Sequence, residues 1–365
     1  MDKQLFSKTV TLLRAPMVCL VIFIHTSPGL HPCYQSYSLL ETFHSGQIYS
    51  LIVDTWGRVT NIAVPFFFFV AGYYFIKEKE LTFESWKNKI KKRISTLLIP
   101  YILWNVIAII MDCINIIVKK YIGIESTCTI SNISELINAL WGINGGHFPY
   151  LTPLWFVRDL FIIGIFSPII VFLCKKYPKI FISVLSCMFV FNSYLTFMYL
   201  GGWLCVYFFS LGIFTQLKEI DLIKKNRILD SILITFSVLC LFCSIYNHSL
   251  VSKASSNILI LCLLLILFRY ASRLVAKYGC NKLFERLSES SFFVYALHCI
   301  TIFHLSFLQI CLWSTRRILC ADTYELGLVI SYFITPFICY GVCYTVYWIL
   351  KRKIPTIVNI VSGNR

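Results

Sequence analysis

Apolar residues along this chain come in long unbroken runs, neither alternating with polar ones nor confined to one stripe of a 3.6-residue helix. About ten runs recur, at roughly 11–30, 59–76, 94–118, 153–173, 180–197, 199–216, 229–246, 256–271, 291–311 and 325–350. Each is long enough to cross a hydrocarbon core about 30 Å thick as a helix. The pattern predicts an all-α fold: a polytopic integral membrane protein of about ten transmembrane helices. An outer-membrane barrel would instead show short segments of alternating hydropathy. The first run follows Lys3 and Lys8 as a signal peptide would, but no small-residue cleavage site comes after it, so it is read as a retained helix. Residues 31–58 and 119–152 form the two long loops, and no separate soluble domain or internal repeat is visible. Residues 1–365 are therefore taken as one transmembrane domain.

Charge supplies the orientation. An even number of spans puts both termini on one side. On that side fall the cations of the amino terminus through Arg14, of segments 77–93, 174–180, 217–228 and 269–290, and of the tail from Lys351. Together they make 26 of the 33 Lys and Arg residues. That face is predicted to be cytoplasmic by the positive-inside bias. The same clustering removes nucleic acid as the explanation of a net charge of +16. Only 14% of the 365 residues are charged, and the mean hydropathy is +0.75, against roughly 25% charged in soluble domains. Most of the 16 cysteines lie in apolar runs, where they behave as small hydrophobes. Cys33, Cys128 and Cys320 fall in outer loops, where one disulfide has room to form. No metal-ligand spacing stands out, and no metal is expected.

Against this background a few polar side chains inside the runs call for a reason. In TLLRAPMVCLVIFIHTSP, Arg14 and His25 are eleven residues apart. On a helix they share a face, separated by about 16 Å along the axis. Ionisable residues within a span normally face a bundle interior or a water-filled cavity. RVTNIAVPFFFFVAGYYF opens the second span with Arg58, Asn61 and Pro65, and a basic amphipathic segment at 84–95 follows it. That segment suits a helix on the cytoplasmic surface, or a cradle for a phosphorylated donor. PLWFVRDLFIIGIFSP carries Trp155, Arg158 and Asp159 into the membrane, and SFFVYALHC places Tyr295 and His298 on one helical face. Each group also has a structural reading: an interfacial anchor, an ion pair with another helix, a packing histidine. No serine-hydrolase elbow or phosphate-binding glycine loop is present, so any chemistry falls to histidine as base or nucleophile, with arginines as charge partners. On residues alone, an enzyme and a transporter of an anionic or glycan substrate are near equal; a scaffold in a glycan-assembly complex ranks behind them.

These motifs resemble acyltransferase family 3, the ten-helix integral membrane acyltransferases. The resemblance rests on Arg14-x10-His25, VPFFFFVAGYYF, PLWFVRDLFIIGIFSP and SFFVYALHC, in that order along most of the chain. Two departures stand out: Ala15-Pro16 where the family often has glycine, and Arg93-Ile-Ser-Thr96 where many members have two arginines three apart. The resemblance implies transfer of an acyl group, usually acetyl, from cytoplasmic acetyl-CoA or another acyl-CoA to a hydroxyl of a surface or lipid-linked glycan. It places the chain in the bacterial inner membrane as a multi-pass protein, with no permanently bound cofactor and with room for a homodimer. It implies His25 as base or acyl carrier, and Arg14 as its catalytic partner. Arg14, Lys89, Lys92 and Arg93 would bind the coenzyme A phosphates. Arg58, Asn61, Trp155, Arg158 and Asp159 would hold the acceptor or the oxyanion, with Tyr295 and His298 supporting.

Overall fold

The computed structural model describes residues 2–26, 47–76, 81–121, 130, 132–142, 148–191, 203–224, 226–246, 250–302, 305–319 and 325–364. In chain order the helices are α1 (Lys3–Thr26), α2 (Gln47–Thr60), α3 (Ala63–Tyr73), α4 (Phe83–Arg93), α5 (Ile99–Tyr121), α6 (Ile133–Trp141), α7 (Trp155–Ile165), α8 (Ser167–Lys176) and α9 (Pro178–Val190). They continue as α10 (Trp203–Leu217), α11 (Arg227–Tyr246), α12 (Leu250–Tyr278), α13 (Lys282–Leu297), α14 (Phe307–Ile318), α15 (Glu325–Lys353) and α16 (Pro355–Val361). One short antiparallel pair, β1 (Thr301–Ile302) and β2 (Leu305–Ser306), lies between α13 and α14, with Thr301 opposite Ser306.

The fold is all-α and multi-pass. Among the described residues five helices are long and apolar enough to cross a membrane: Lys3–Thr26, Phe83–Tyr121, Arg227–Ile245, Leu250–Tyr278 and Leu326–Lys353. A sixth candidate is the bent pair α7–α8, whose arms meet at 62°. The bend has a local cause. Pro168 has no N–H to offer the carbonyl four residues back, and Ser167 Oγ donates to that carbonyl, Gly164 O, at 2.7 Å.

Several expected spans differ from the structure. The second, 59–76, is broken at Asn61–Ile62: Pro65 fits the first turn of a new helix and not the interior of an old one. Part of the expected loop 31–58 is helical, as α2. The ninth, 291–311, is not one helix, because α13 stops at Leu297 and α14 starts only at Phe307. The surface helix expected at 84–95 is no separate element, since α4 runs into α5 through a π-helical turn, Ile94–Leu98. Cys33, Cys128 and Cys320, considered for a disulfide, lie outside the described residues.

Backbone packing gathers the chain into two compact units. The first comprises Met1–Ile24, Ser45–Asn88 and Ile162–Glu289. In it α3 and α10 approach so closely that glycine is required on both: a Cβ on Gly72 would sit 2.0 Å from Phe209 O, and one on Gly212 would sit 2.1 Å from Phe69 O. Phe268 stacks on Phe6 and Phe66, with centroids 5.3 and 5.5 Å away. The α11–α12 pair is tied by buried Asp230, which accepts from Arg269 and Arg273.

The second unit comprises His25–His44, Lys89–Phe161 and Ser290–Arg365. Its α16 lies on α5, with Trp104 Nε1 donating to Val361 O at 2.9 Å. Thr315 and Thr335 join α14 to α15 through their hydroxyls, 2.8 Å apart. A capping box opens α14: Ser306 Oγ accepts from Gln309 N, and Gln309 Oε1 accepts from Ser306 N.

Candidate active site

His25 lies in the last turn of α1 and is 93% buried, at 7% exposure. It belongs to the second unit, and so do the groups around it. His298 follows the last residue of α13 and is fully buried. The chain pins this residue from three directions. Its N–H still makes a helical bond to Val294 O (3.1 Å), and its carbonyl accepts from Leu308 N in the first turn of α14 (3.1 Å). Its Nδ1 lies 2.7 Å from Tyr295 O. A carbonyl can only accept, so Nδ1 carries a proton, and in the neutral form of the ring the lone pair is then on Nε2. Tyr295 is fixed in turn, its hydroxyl donating to Pro153 O and its ring meeting Phe156 edge-on at 6.2 Å.

The rings of His25 and His298 are 5.2 Å apart between centroids and tilted by 46°. One nitrogen of each histidine and Cys299 Sγ all lie within 4.8 Å of one another. Two imidazoles and a thiol are a donor set that suits zinc. A tetrahedral zinc would draw such atoms to separations of about 3.4–3.7 Å, given bonds of ~2.1 Å to nitrogen and ~2.3 Å to sulfur. As it stands the cluster offers two imidazoles for taking and passing a proton, and three nucleophilic atoms.

Arg158 and Asp159 open α7, both buried and in the same unit. Arg158 Nε pairs with Asp159 Oδ1 at 2.9 Å, and Arg158 Nη1 donates to Trp141 O at 2.6 Å. The partners of this arginine thus include its own neighbour in sequence and the carbonyl that ends α6. Trp155 is half-buried one turn earlier. Buried Asn105 holds the entry to α7, its Oδ1 accepting from Leu151 N at 2.9 Å and its Nδ2 donating to Tyr101 O at 2.8 Å. Tyr150 OH donates to Asp112 Oδ2 at 2.7 Å.

The other expected site residues are divided between the two units. Arg14 is half-buried in α1, on the part of that helix that belongs to the first unit. Arg58, also in the first unit, pairs with Asp54 at 2.9 Å and donates to Ser256 Oγ at 2.8 Å. Asn61 is exposed at the α2–α3 break. The expected acceptor group is thus divided: Arg58 and Asn61 in one unit, Trp155, Arg158 and Asp159 in the other. Of the cations expected to bind the donor, Lys92 is exposed and Lys89 half-buried, while Arg93 donates from Nη1 to Leu160 O at 2.9 Å. Sequence reasoning missed Asn105, Asp112, Tyr150 and the place of Cys299; only Cys299, beside His298 in SFFVYALHC, carried a signal.

Residues 8–350 match the family model described as an acyltransferase domain. The chain belongs to acyltransferase family 3. This membrane acyltransferase is also similar to the succinoglycan biosynthesis protein ExoH of Rhizobium meliloti (strain 1021), at 22% identity over 178 residues. The match covers 48% of this acyltransferase and 45% of the relative, so the chain spans about half the length of the curated relative it matches. No solved structure matches this family member.

Proposed function

We propose that this acyltransferase carries an acyl group, acetyl in the simplest case, from a cytoplasmic acyl-CoA to a hydroxyl of a cell-surface or lipid-linked glycan. The observation that carries the reading is His25, a buried imidazole at the end of an apolar helix, against a second buried imidazole, in a chain of an acyltransferase family. The relative named for succinoglycan biosynthesis supports a glycan as acceptor.

In the direct version His25 removes the acceptor proton as the oxygen attacks the thioester carbonyl, and the C–S bond breaks. The same proton then goes to the departing thiolate, giving an ester and free coenzyme A. In the covalent version a His25 nitrogen is acylated first and coenzyme A leaves before the acceptor arrives. A positioned base typically contributes 10²–10⁴-fold, so His25→Ala is expected to lower transfer by that order. Arg14, Lys89 and Lys92 attract the coenzyme A phosphates as point charges, and Arg93 fastens α4 to Leu160 while adding to the field. Arg158, oriented by Asp159, presents a guanidinium to the acceptor or the oxyanion beside Trp155. The frame for this chemistry is a bacterial inner-membrane protein of ten spans with both termini in the cytoplasm.

The test uses membrane vesicles supplied with acetyl-CoA labelled in the acetyl group, following labelled glycan and released coenzyme A. Wild type should label glycan and His25→Ala, at equal abundance, should not. Equal labelling by the two would remove His25 from the chemistry.

A further inference from the structure

We infer that His298 is a positioning residue for His25: its Nε2 accepts a hydrogen bond from one ring nitrogen of His25, leaving the other turned toward the acyl group and the acceptor. This rests on the reading of His25 as base or acyl carrier.

Two observations on the page lead there. Nδ1 of His298 donates to the Tyr295 carbonyl at 2.7 Å, so in the neutral ring Nε2 is the nitrogen able to accept. The residue is also held far more firmly than a packing histidine requires. Backbone bonds to Val294 and from Leu308 fix its main chain, the Tyr295 carbonyl fixes its ring, and Tyr295 is itself anchored to Pro153. A ring held this way is a fixed acceptor. It lies with a nitrogen of His25 and Cys299 Sγ inside a 4.8 Å cluster, a gap that a small rotation of the His25 ring or one bridging water closes. A base whose second nitrogen is held by a fixed acceptor reacts through a single tautomer and orientation, as metal-binding and catalytic histidines do when the other nitrogen has a defined partner. The balance is simple. When His25 takes the acceptor proton on its outward nitrogen, the positive charge is shared with the inward N–H, which His298 accepts; the proton returns to the coenzyme A thiolate and the pair is reset.

The experiment uses the full chain in vesicles and compares His298→Ala, His298→Leu and His298→Gln at matched abundance. Leucine restores bulk without an acceptor, and the glutamine amide oxygen restores an acceptor near Nε2. The expected result is a 10- to 100-fold fall in kcat for Ala and Leu, part of the roughly 10²–10⁴-fold due to a positioned base. KM for acetyl-CoA should stay within about twofold, and Gln should recover about tenfold over Leu. Activity of Leu equal to or above Gln would make His298 a packing residue and overturn the proposal.

A second readout does not depend on the acceptor. Carbethoxylation of His25 by diethyl pyrocarbonate, followed by mass spectrometry, should be slower in Leu than in wild type and faster again in Gln. If this order holds while no chain transfers acetyl, the pairing stands and the glycan reading fails. Equal rates in Leu and Gln overturn the pairing whatever the glycan shows. Elemental analysis closes the remaining route: one equivalent of zinc in wild type, lost in His298→Ala and Cys299→Ser, would replace the hydrogen bond with a metal and overturn the proposal.

Discussion

Arg158 and Asp159 are neighbours in sequence that pair with each other inside the protein, where an unmatched charge is most costly. Removing only the carboxylate takes its charge partner from a buried guanidinium that also donates to Trp141 O. Asp159→Ala should therefore cost about 3–5 kcal/mol, while replacing both residues by apolar ones of similar volume should cost much less. Unfolding midpoints of the purified protein in one detergent would check this; a double variant less stable than the single one would contradict it. Tyr295→Phe removes the bond to Pro153 O and leaves a buried carbonyl short of a donor, a loss of about 1–3 kcal/mol on the same measurement. At this scale the sequence was informative about residue types and poor about partners. His25 and His298 drew attention because each interrupts an apolar run, but nothing in the run shows that the two rings meet. The structural reading of Arg158 and Asp159 was an ion pair with another helix; that the two pair with each other is a matter of rotamers, which a hydropathy pattern does not carry.

Helices α3 and α10 are in contact through backbone. Alanine at Gly72 or Gly212 would place a methyl group against a carbonyl that cannot swing away, so the helices must separate. Either substitution is expected to cost about 1–3 kcal/mol or more, seen as lower yield of folded protein by detergent gel filtration. Ser306→Ala removes one half of the α14 capping box and should cost about 1 kcal/mol. The same first turn supplies the Leu308 N–H that holds His298, so a fall in transfer is expected along with the fall in stability. Apolar runs showed the long helices but not their ends, and α2, α4, α6 and α16 lie essentially outside them. Residues 291–311 average as one span because the end of α13 and the start of α14 are both apolar, and the stretch between them is too short to lower the mean. Prolines at 65 and 168 were visible, yet only the backbone shows that one divides two helices and the other bends a pair by 62°.

For the whole molecule the strongest expectation is the charge asymmetry. Reporter fusions after Lys353 should read as cytoplasmic, and a reporter inserted between residues 31 and 46 should read as external; the reverse would refute the assignment of faces. Within the long helix Phe83–Tyr121, the π-helical turn at Ile94–Leu98 accommodates one residue more than an α-helix would over the same path. Its consequence is one of phase. Everything before the turn, Lys89 and Lys92 included, is rotated by about 100° relative to where an unbroken α-helix would put it. Deleting Ser95 would take out the extra residue and let the turn close as α-helix over the same path, leaving the lysines facing as they do. Closing the turn with every residue kept would swing them about 100° around the axis without changing a single charge. A relative with one residue fewer opposite 94–98 would then point its basic face the same way through an unbroken α-helix, whereas one of equal length without the wide turn would point it elsewhere, even where every lysine is retained.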